Sequence, residues 1–408
     1  IVLSVKEVKD VIKNLDKRKA IGPDLIHNRL LIAAIDVISE PLTHMFNRSL
    51  REGVYPNIWK TANVTPIYKS GSADTCNNYR PISLVSCVGK VLERCIHSHL
   101  YHFLQSNNIL TPTQSGFIPG DSTICQLVSI YNDVCLNYDR GLTTQAVFFD
   151  VSKAFDKVWH KGLLVKLESI GVRGRLLSWF CSYLTNRVQL VVVKGAKSEL
   201  KGIQAGVPQG SVLGPLLFLI YINDIVNDIE SVIKLFADDT SMSLALNDPV
   251  RRADILNTDL DKISCWAARW KVTFNETKTK LLNIKRDLSQ IDPLFFNGIV
   301  FEDTKEHKHL GIFLQNDCKW DAQVRNIVKK TTLLINCLSH YKYKLCTKSL
   351  EIMYTFFILP HFDYVDRHCP RTSLCLLHKY RTTNMSSCCF NQRPFPIFLV
   401  SVCLVVSV

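Results

Sequence analysis

Hydrophobic and polar positions change period several times along this chain, and the changes mark its elements. Val232 to Phe236 and Ser241 to Leu246 alternate apolar and polar side chains, the period-two pattern that predicts two arms of a β-hairpin. Ala146 to Phe149 reads as an apolar strand ending in Asp150, and Ala154, Phe155, Val158 and Trp159 after it predict a helix. Trp59 to Lys69 predicts a further strand. Helical spacing appears in Val8, Val11, Ile12 and Leu15 behind the capping box Ser4-Val5-Lys6-Glu7, and again from Leu30 to Leu50. It returns from about Gly89 to Phe103, from near Ile124, from Leu216 to Ile222 behind Pro215, and from about Val250 to Trp266. His309-Leu310-Gly311-Ile312 predicts a short strand with a tight glycine. Trp320 to Leu359 is helical once more, with Lys329, Lys330, Lys342, Lys344 and Lys348 among its apolar positions, and reads as a basic helical lobe. Beyond Asp363-Tyr364 the periodicity is lost.

Composition narrows the class. A chain of 408 residues that is 47% hydrophobic and 21% charged can bury a large core in two or three lobes, and it is not disordered. Its 49 Lys+Arg against 36 Asp+Glu leave a net charge of +13, which favours polyanionic partners such as nucleic acid. The fifteen cysteines form no Cys-x-x-Cys pair and read as reduced, mostly buried thiols of an intracellular protein. The apolar run Ile397 to Val408 is shorter than the roughly 20 residues of a membrane span, so no membrane segment is expected. The chain opens on Ile1, which suggests an excised or partial reading frame.

Candidate chemistry centres on Asp238 and Asp239. Two adjacent carboxylates at a hairpin tip repel each other, so the arrangement calls for a cation between them. Asp150, at a strand end, is the natural source of further oxygen ligands if that strand lies beside the hairpin. Lys69 and Arg80 flank a polar loop in a way that suits a triphosphate clamp, although surface charges beside a turn would look alike. The loop Gln114 to Thr123 would let a template backbone come close, or is a generic turn capped by Asp121 or Ser122. Gln209, in the glycine- and proline-rich loop Gln204 to Pro215, either faces a nucleotide or belongs to a structural helix entry. Lys278 could neutralise or protonate a departing pyrophosphate, or is an ordinary exposed lysine.

Taken in order, these pieces resemble the reverse transcriptase domain of non-LTR (LINE-type) retrotransposons, most closely the jockey-like elements. The matching stretches are Trp59 to Lys69, Tyr79-Arg80-Pro81-Ile82-Ser83-Leu84, Gln114 to Thr123, Phe149-Asp150 to His160, Gly206 to Pro215 with Tyr221-Ile222-Asn223-Asp224, Phe236-Ala237-Asp238-Asp239, Asn275 to Lys280, and His309-Leu310-Gly311. The similarity covers about residues 1 to 365.

The resemblance implies an α+β, right-handed polymerase architecture with fingers, a palm of antiparallel sheet plus helices, and a helical thumb. Its divisions would be an N-terminal helical extension over 1–58, fingers and palm over 59–315, a thumb-like segment over 316–365, and an irregular, degraded or frame-shifted tail over 366–408. It implies RNA-directed DNA polymerase activity with an RNA template, a DNA primer and deoxynucleoside triphosphates. Asp150 and Asp238, with Asp239 and the Val151 carbonyl, would hold two Mg²⁺ ions, Mn²⁺ being an alternative; hard oxygen ligands suit such ions. Phe155 would lie beneath the incoming sugar and exclude a 2′-hydroxyl, Gln209 would lie near the nucleotide, Lys278 would be the later palm lysine, and His309 to Ile312 would grip the primer end. It further implies a larger polyprotein with an endonuclease, and a ribonucleoprotein in the nucleus or cytoplasm. Two other readings remain open at this point: a catalytically inactive nucleic-acid-binding remnant of a mobile element, and a maturase-like partner of structured RNA.

Overall fold

The computed structural model describes residues 1–276, 278–285, 292–341 and 343–366. The tail expected to be irregular therefore lies outside the described residues, apart from its first position. The chain divides into two compact units, one made of Ile1–Pro119, Phe149–Thr240 and Asp259–Lys278, the other of Gly120–Phe148, Ser241–Thr258 and the described residues from Thr279 onward.

In the first unit the N-terminal helix Val5–Lys13 starts where Ser4 Oγ accepts the Glu7 N–H at 3.1 Å, the cap that the sequence predicts. It buries Val8 and Ile12 and packs on the helices Ile35–Glu52 and Cys87–Ser106. The single run expected from Leu30 to Leu50 is two helices, Asn28–Ala33 and Ile35–Glu52, because Ala34 leaves helical geometry at ψ 10°. A sheet follows: Thr61–Tyr68 pairs antiparallel with Tyr79–Leu84 and parallel with Arg187–Val193, which in turn pairs with Ala196–Lys197 and Lys201–Ile203. Tyr55, fully buried, meets Trp59, Trp179 and Tyr183 edge-on at 5.0–5.7 Å between ring centroids. The helix Leu213–Ile222 buries nine of its ten side chains. Its first turn is anchored by Glu93, whose Oε2 accepts the N–H groups of Val212 and Leu213 at 2.7 and 3.1 Å.

One predicted element is replaced. No helix carries Ala154, Phe155, Val158 and Trp159; residues 152–157 form turns, with Lys153 in the left-handed region, and the helix begins at His160. The carbonyls that such a helix would use are taken: Phe155 O accepts from Val207 N and Val158 O from Gly206 N, both at 2.8 Å.

In the second unit Thr144–Phe149 pairs antiparallel with Lys280–Ile284, and Asp303–Thr304 adds parallel to the latter. The helix Thr123–Asp139, capped by Ser122, lays Ile130 and Val134 on Ala146, Phe148, Leu282, Ile284 and Leu314. His309 to Ile312 is not one strand. Glu306–His309 and Ile312–Gln315 form an antiparallel hairpin, and Leu310 and Gly311, at φ 45° and 91°, are its turn. The helical stretch expected from Trp320 is present as Asp321–Ser339, Thr347–Met353 and Leu359–Asp366, with a π-helical turn at Tyr354–Ile358. Mixed helices and sheets thus make up the α+β class that the sequence implied.

The described cysteines form no disulfide, but the expectation that most are buried fails: of the described ones only Cys87 and Cys95 are, and six are exposed. No described helix is long and apolar enough to cross a membrane.

Candidate active site

The acid hairpin is built as its alternation predicts. Val232–Phe236 ends at Ala237-Asp238, and the second arm begins at Asp239, two residues earlier than Ser241. The second arm, Asp239–Ala245, is the sheet neighbour of Thr144–Phe149, the strand that leads into Asp150. The three carboxylates therefore feel one another. Burial raises the Asp238 carboxyl above its ordinary range and the charge of Asp150 adds to this, while Arg80 and Lys69 pull it back. Asp239 is pushed up to about 6 by burial and by the charges of Asp238 and Asp150, with Lys69 opposing. Asp239 as a whole stays exposed, so water screens part of that push.

Lys69 and Arg80 reach these acids from one face of the first sheet. Arg80 lies opposite Ile67 in the antiparallel register, and Lys69, two residues further, shares that face and ties its N–H to Asn78 O at 2.8 Å. Both side chains are exposed, as a clamp for a soluble anion requires. Lys278 comes to the same place, its Nζ 3.8 Å from Asp150 Oδ2.

Backbone geometry presents one more oxygen. Asn275 N donates to Asp150 O at 2.7 Å and Ser152 N to Thr273 O at 2.8 Å, so Val151 is the wide member of its bridge with Phe274. In such a pair the residue's own N–H and C=O point away from the partner segment, which leaves the Val151 carbonyl turned elsewhere. Among the described residues no three His, Cys, Asp or Glu side chains stand together as a metal cage. The donor set nonetheless fits a hard divalent ion that completes its shell with a carbonyl, water and phosphate: oxygens only, and repelling carboxylates that a cation would relieve.

What holds the acid turn was not read from the sequence. Gln114 Oε1 accepts from Gly116 N at 2.8 Å and from Ala237 N at 2.9 Å, while Ser115 N donates to Leu235 O and Leu235 N to Thr113 O. A Cβ at Gly116 would stand 2.2 Å from Ala237 N, so only glycine lets the two backbones meet. The close approach expected of this loop is thus made by the acid turn itself. Glycine two residues after a buried glutamine was the available signal.

Gln209 is also claimed internally: its Nε2 donates to Asp156 Oδ1 at 2.8 Å. Burial raises the Asp156 carboxyl and this hydrogen bond lowers it. The loop is locked by Ser83 N donating to Gln209 O at 2.7 Å and by His160 Nε2 donating to Gly206 O at 2.7 Å. Gly206, at φ 88°, leaves no room for a Cβ, which would sit 2.5 Å from Asp156 O. Phe155 is half-buried, stacked on Phe218 at 4.7 Å and met edge-on by Phe117 at 6.0 Å. Behind it lies a network that sequence reading missed. Lys166 pairs with Asp224 at 2.5 Å, donates to Tyr221 O and lies 4.0 Å above the Trp270 ring, and its burial brings its ammonium down to about 8.

The family model described as reverse transcriptase (RNA-dependent DNA polymerase) matches residues 67–314, a span that holds every residue named for the site. The chain belongs to the reverse transcriptase family. Among the curated relatives, an RNA-directed DNA polymerase from mobile element jockey of Drosophila melanogaster is 31% identical over 334 residues, covering 80% of this chain and 36% of the relative. A probable RNA-directed DNA polymerase from transposon X-element of the same fly is 29% identical over 369 residues, covering 88% and 40%. A retrovirus-related Pol polyprotein from type-1 retrotransposable element R1 of Bradysia coprophila is 27% identical over 346 residues, covering 82% and 34%. This reverse transcriptase chain thus spans little more than a third of the length of the relatives that it matches.

Proposed function

We propose that the chain is the polymerase part of a non-LTR retrotransposon protein, an RNA-directed DNA polymerase that extends a DNA primer on an RNA template. The observation that carries this reading is the adjacency in one sheet of the strand that runs into Asp150 and the arm that opens on Asp239, with the charges of Lys69 and Arg80 acting on Asp238, inside the span that matches the family model. Reverse transcriptases work with divalent metal ions. Asp150 and Asp238, joined by Asp239 and the Val151 carbonyl, would hold two Mg²⁺ ions here, with Mn²⁺ as a substitute. When bound, the ions stabilise the charge on the attacking and leaving oxygens of the transfer.

The chain's own residues account for the remaining needs. Lys69 and Arg80 present two cations on one face, where they can receive the triphosphate of a deoxynucleotide. Lys278, 64% exposed and 3.8 Å from Asp150 Oδ2, would meet the departing pyrophosphate. Phe155 offers an aromatic wall five residues after Asp150, positioned to crowd a 2′-hydroxyl. In this reading 59–315 form the fingers and palm, 316–365 a thumb, and 1–58 an extension. A larger polyprotein with an endonuclease, acting as an intracellular ribonucleoprotein, belongs to the same proposal and draws support from the greater length of the relatives.

The test is primer extension with the purified chain, an RNA template carrying an annealed DNA primer, deoxynucleotides and Mg²⁺. Extension that disappears in Asp238→Ala is the expected result. Tight, salt-sensitive binding without extension in the unaltered chain would instead mark an inactive remnant.

A further inference from the structure

Phe117 is a bulky residue in a conformation that such residues avoid. Its φ of 59° lies in the left-handed region, yet it is neither glycine nor asparagine, and 54% of it is exposed, so core burial does not explain it. Two anchors hold it there. Gly116, its neighbour, is pressed against the Ala237 backbone, and Gln114 ties Gly116 N and Ala237 N to one side-chain oxygen. The chain is thus fixed one residue before Phe117 by the turn that carries Asp238. From that position the Phe117 ring meets Phe155 edge-on, at 6.0 Å and 84° between planes. Phe155 itself stacks on Phe218 at 4.7 Å. Phe218 is buried in the helix Leu213–Ile222 and gives a rigid floor, whereas Phe117 is the brace on the solvent side.

We propose that Phe117 is a positioning residue for nucleotide selection: it braces Phe155 edge-on and so fixes the clearance that Phe155 leaves for the sugar of the incoming nucleotide. The inference rests on the polymerase reading of the site. The left-handed backbone at Phe117 sets its ring at one place relative to both the acid turn and Phe155. Without it, the Phe155 ring keeps its floor but can tilt toward solvent and open the space beside it.

The experiment is single-nucleotide primer extension by the 408-residue chain with deoxy- and ribonucleoside triphosphates, comparing kcat and KM for each. Phe117→Ala and Phe117→Gly are expected to lower discrimination against ribonucleotides by about tenfold, mainly through KM, with the deoxynucleotide kcat kept within about twofold. Phe117→Tyr keeps the ring and is expected to select as the unaltered chain does. Phe117→Gly also releases the backbone from its left-handed constraint, so its melting temperature should not fall below that of Phe117→Ala. A residue serving only the fold would move melting and leave the selection ratio alone. Unchanged selection in Phe117→Ala and Phe117→Gly overturns the inference; if neither folds, unchanged selection in Phe117→Leu does so. An unaltered chain that extends while its variants select normally sinks this inference alone, and one that never extends a primer sinks the polymerase reading with it.

Discussion

The Gln114 side-chain oxygen accepts the backbone N–H of Ala237 at 2.9 Å, across 123 residues of sequence. This bond and its companion to Gly116 N support the turn in which Ala237, at φ 55°, sits in the left-handed region and Asp238 follows. Gln114→Ala would leave two buried N–H groups unpaired and should cost about 2–4 kcal/mol in denaturant unfolding. Gly116→Ala should destabilise by about 1–3 kcal/mol, because its Cβ has nowhere to go. Wild-type stability in both would show that the turn does not depend on this segment.

Asp150→Asn should shift the Mg²⁺ dependence of extension to higher concentration while leaving template binding nearly intact. A Mg²⁺ titration like that of the unaltered chain would remove Asp150 from the ligand set.

For sugar choice, the proposed role of Phe155, whose ring stacks on Phe218 beside Phe117, predicts that Phe155→Val should admit ribonucleotides. If the variant still rejects them, another residue guards the sugar.

Acid should loosen the hairpin that holds His307 and His309. Burial brings His309 down to about 3 and His307 to about 4, and both rings pack on Phe148, at 5.0 and 4.2 Å. A histidine whose folded value is depressed costs the fold nothing while it is neutral in both states. As pH falls below about 6.5 the unfolded chain takes up protons that the folded chain refuses, so stability falls. By pH 5 the loss from His309 alone should be about 2 kcal/mol. Equilibrium unfolding at pH 7 and pH 5 checks this, and His309→Phe should remove about half of what the two histidines lose together, since His307 is depressed nearly as far.

Glu93 should prove costly to remove. It is fully buried, anchors the first turn of Leu213–Ile222 and faces the charge of the buried Arg187, which offsets the upward push of burial on its carboxyl. Glu93→Ala should destabilise by about 3–5 kcal/mol, because Arg187 would keep its charge without a counterpart. Thermal melting within a degree or two of the unaltered chain would contradict this.

Sequence by itself determined the chemistry and the local elements. The alternation around Asp238 and Asp239, the apolar run into Asp150, the Ser4 and Ser122 caps and the order of motifs all report on single segments, where side-chain period and charge suffice. Tertiary structure decided how backbone groups from remote segments are shared. Phe155 and Val158 have helical spacing, yet their carbonyls go to Val207 and Gly206, so a turn forms there. In the loop Gln114 to Thr123 the close approach at Gly116 is made by Ala237, and the amide of Gln209 is spent on Asp156. His309 to Ile312 looked like one strand and is a turn between two. The physical reason is common to the first three: a hydrogen bond or a close approach across roughly fifty to 120 residues leaves no periodic trace in either partner, so no local window records it, whereas at His309 to Ile312 four residues are too few for side-chain period to tell a strand from a turn.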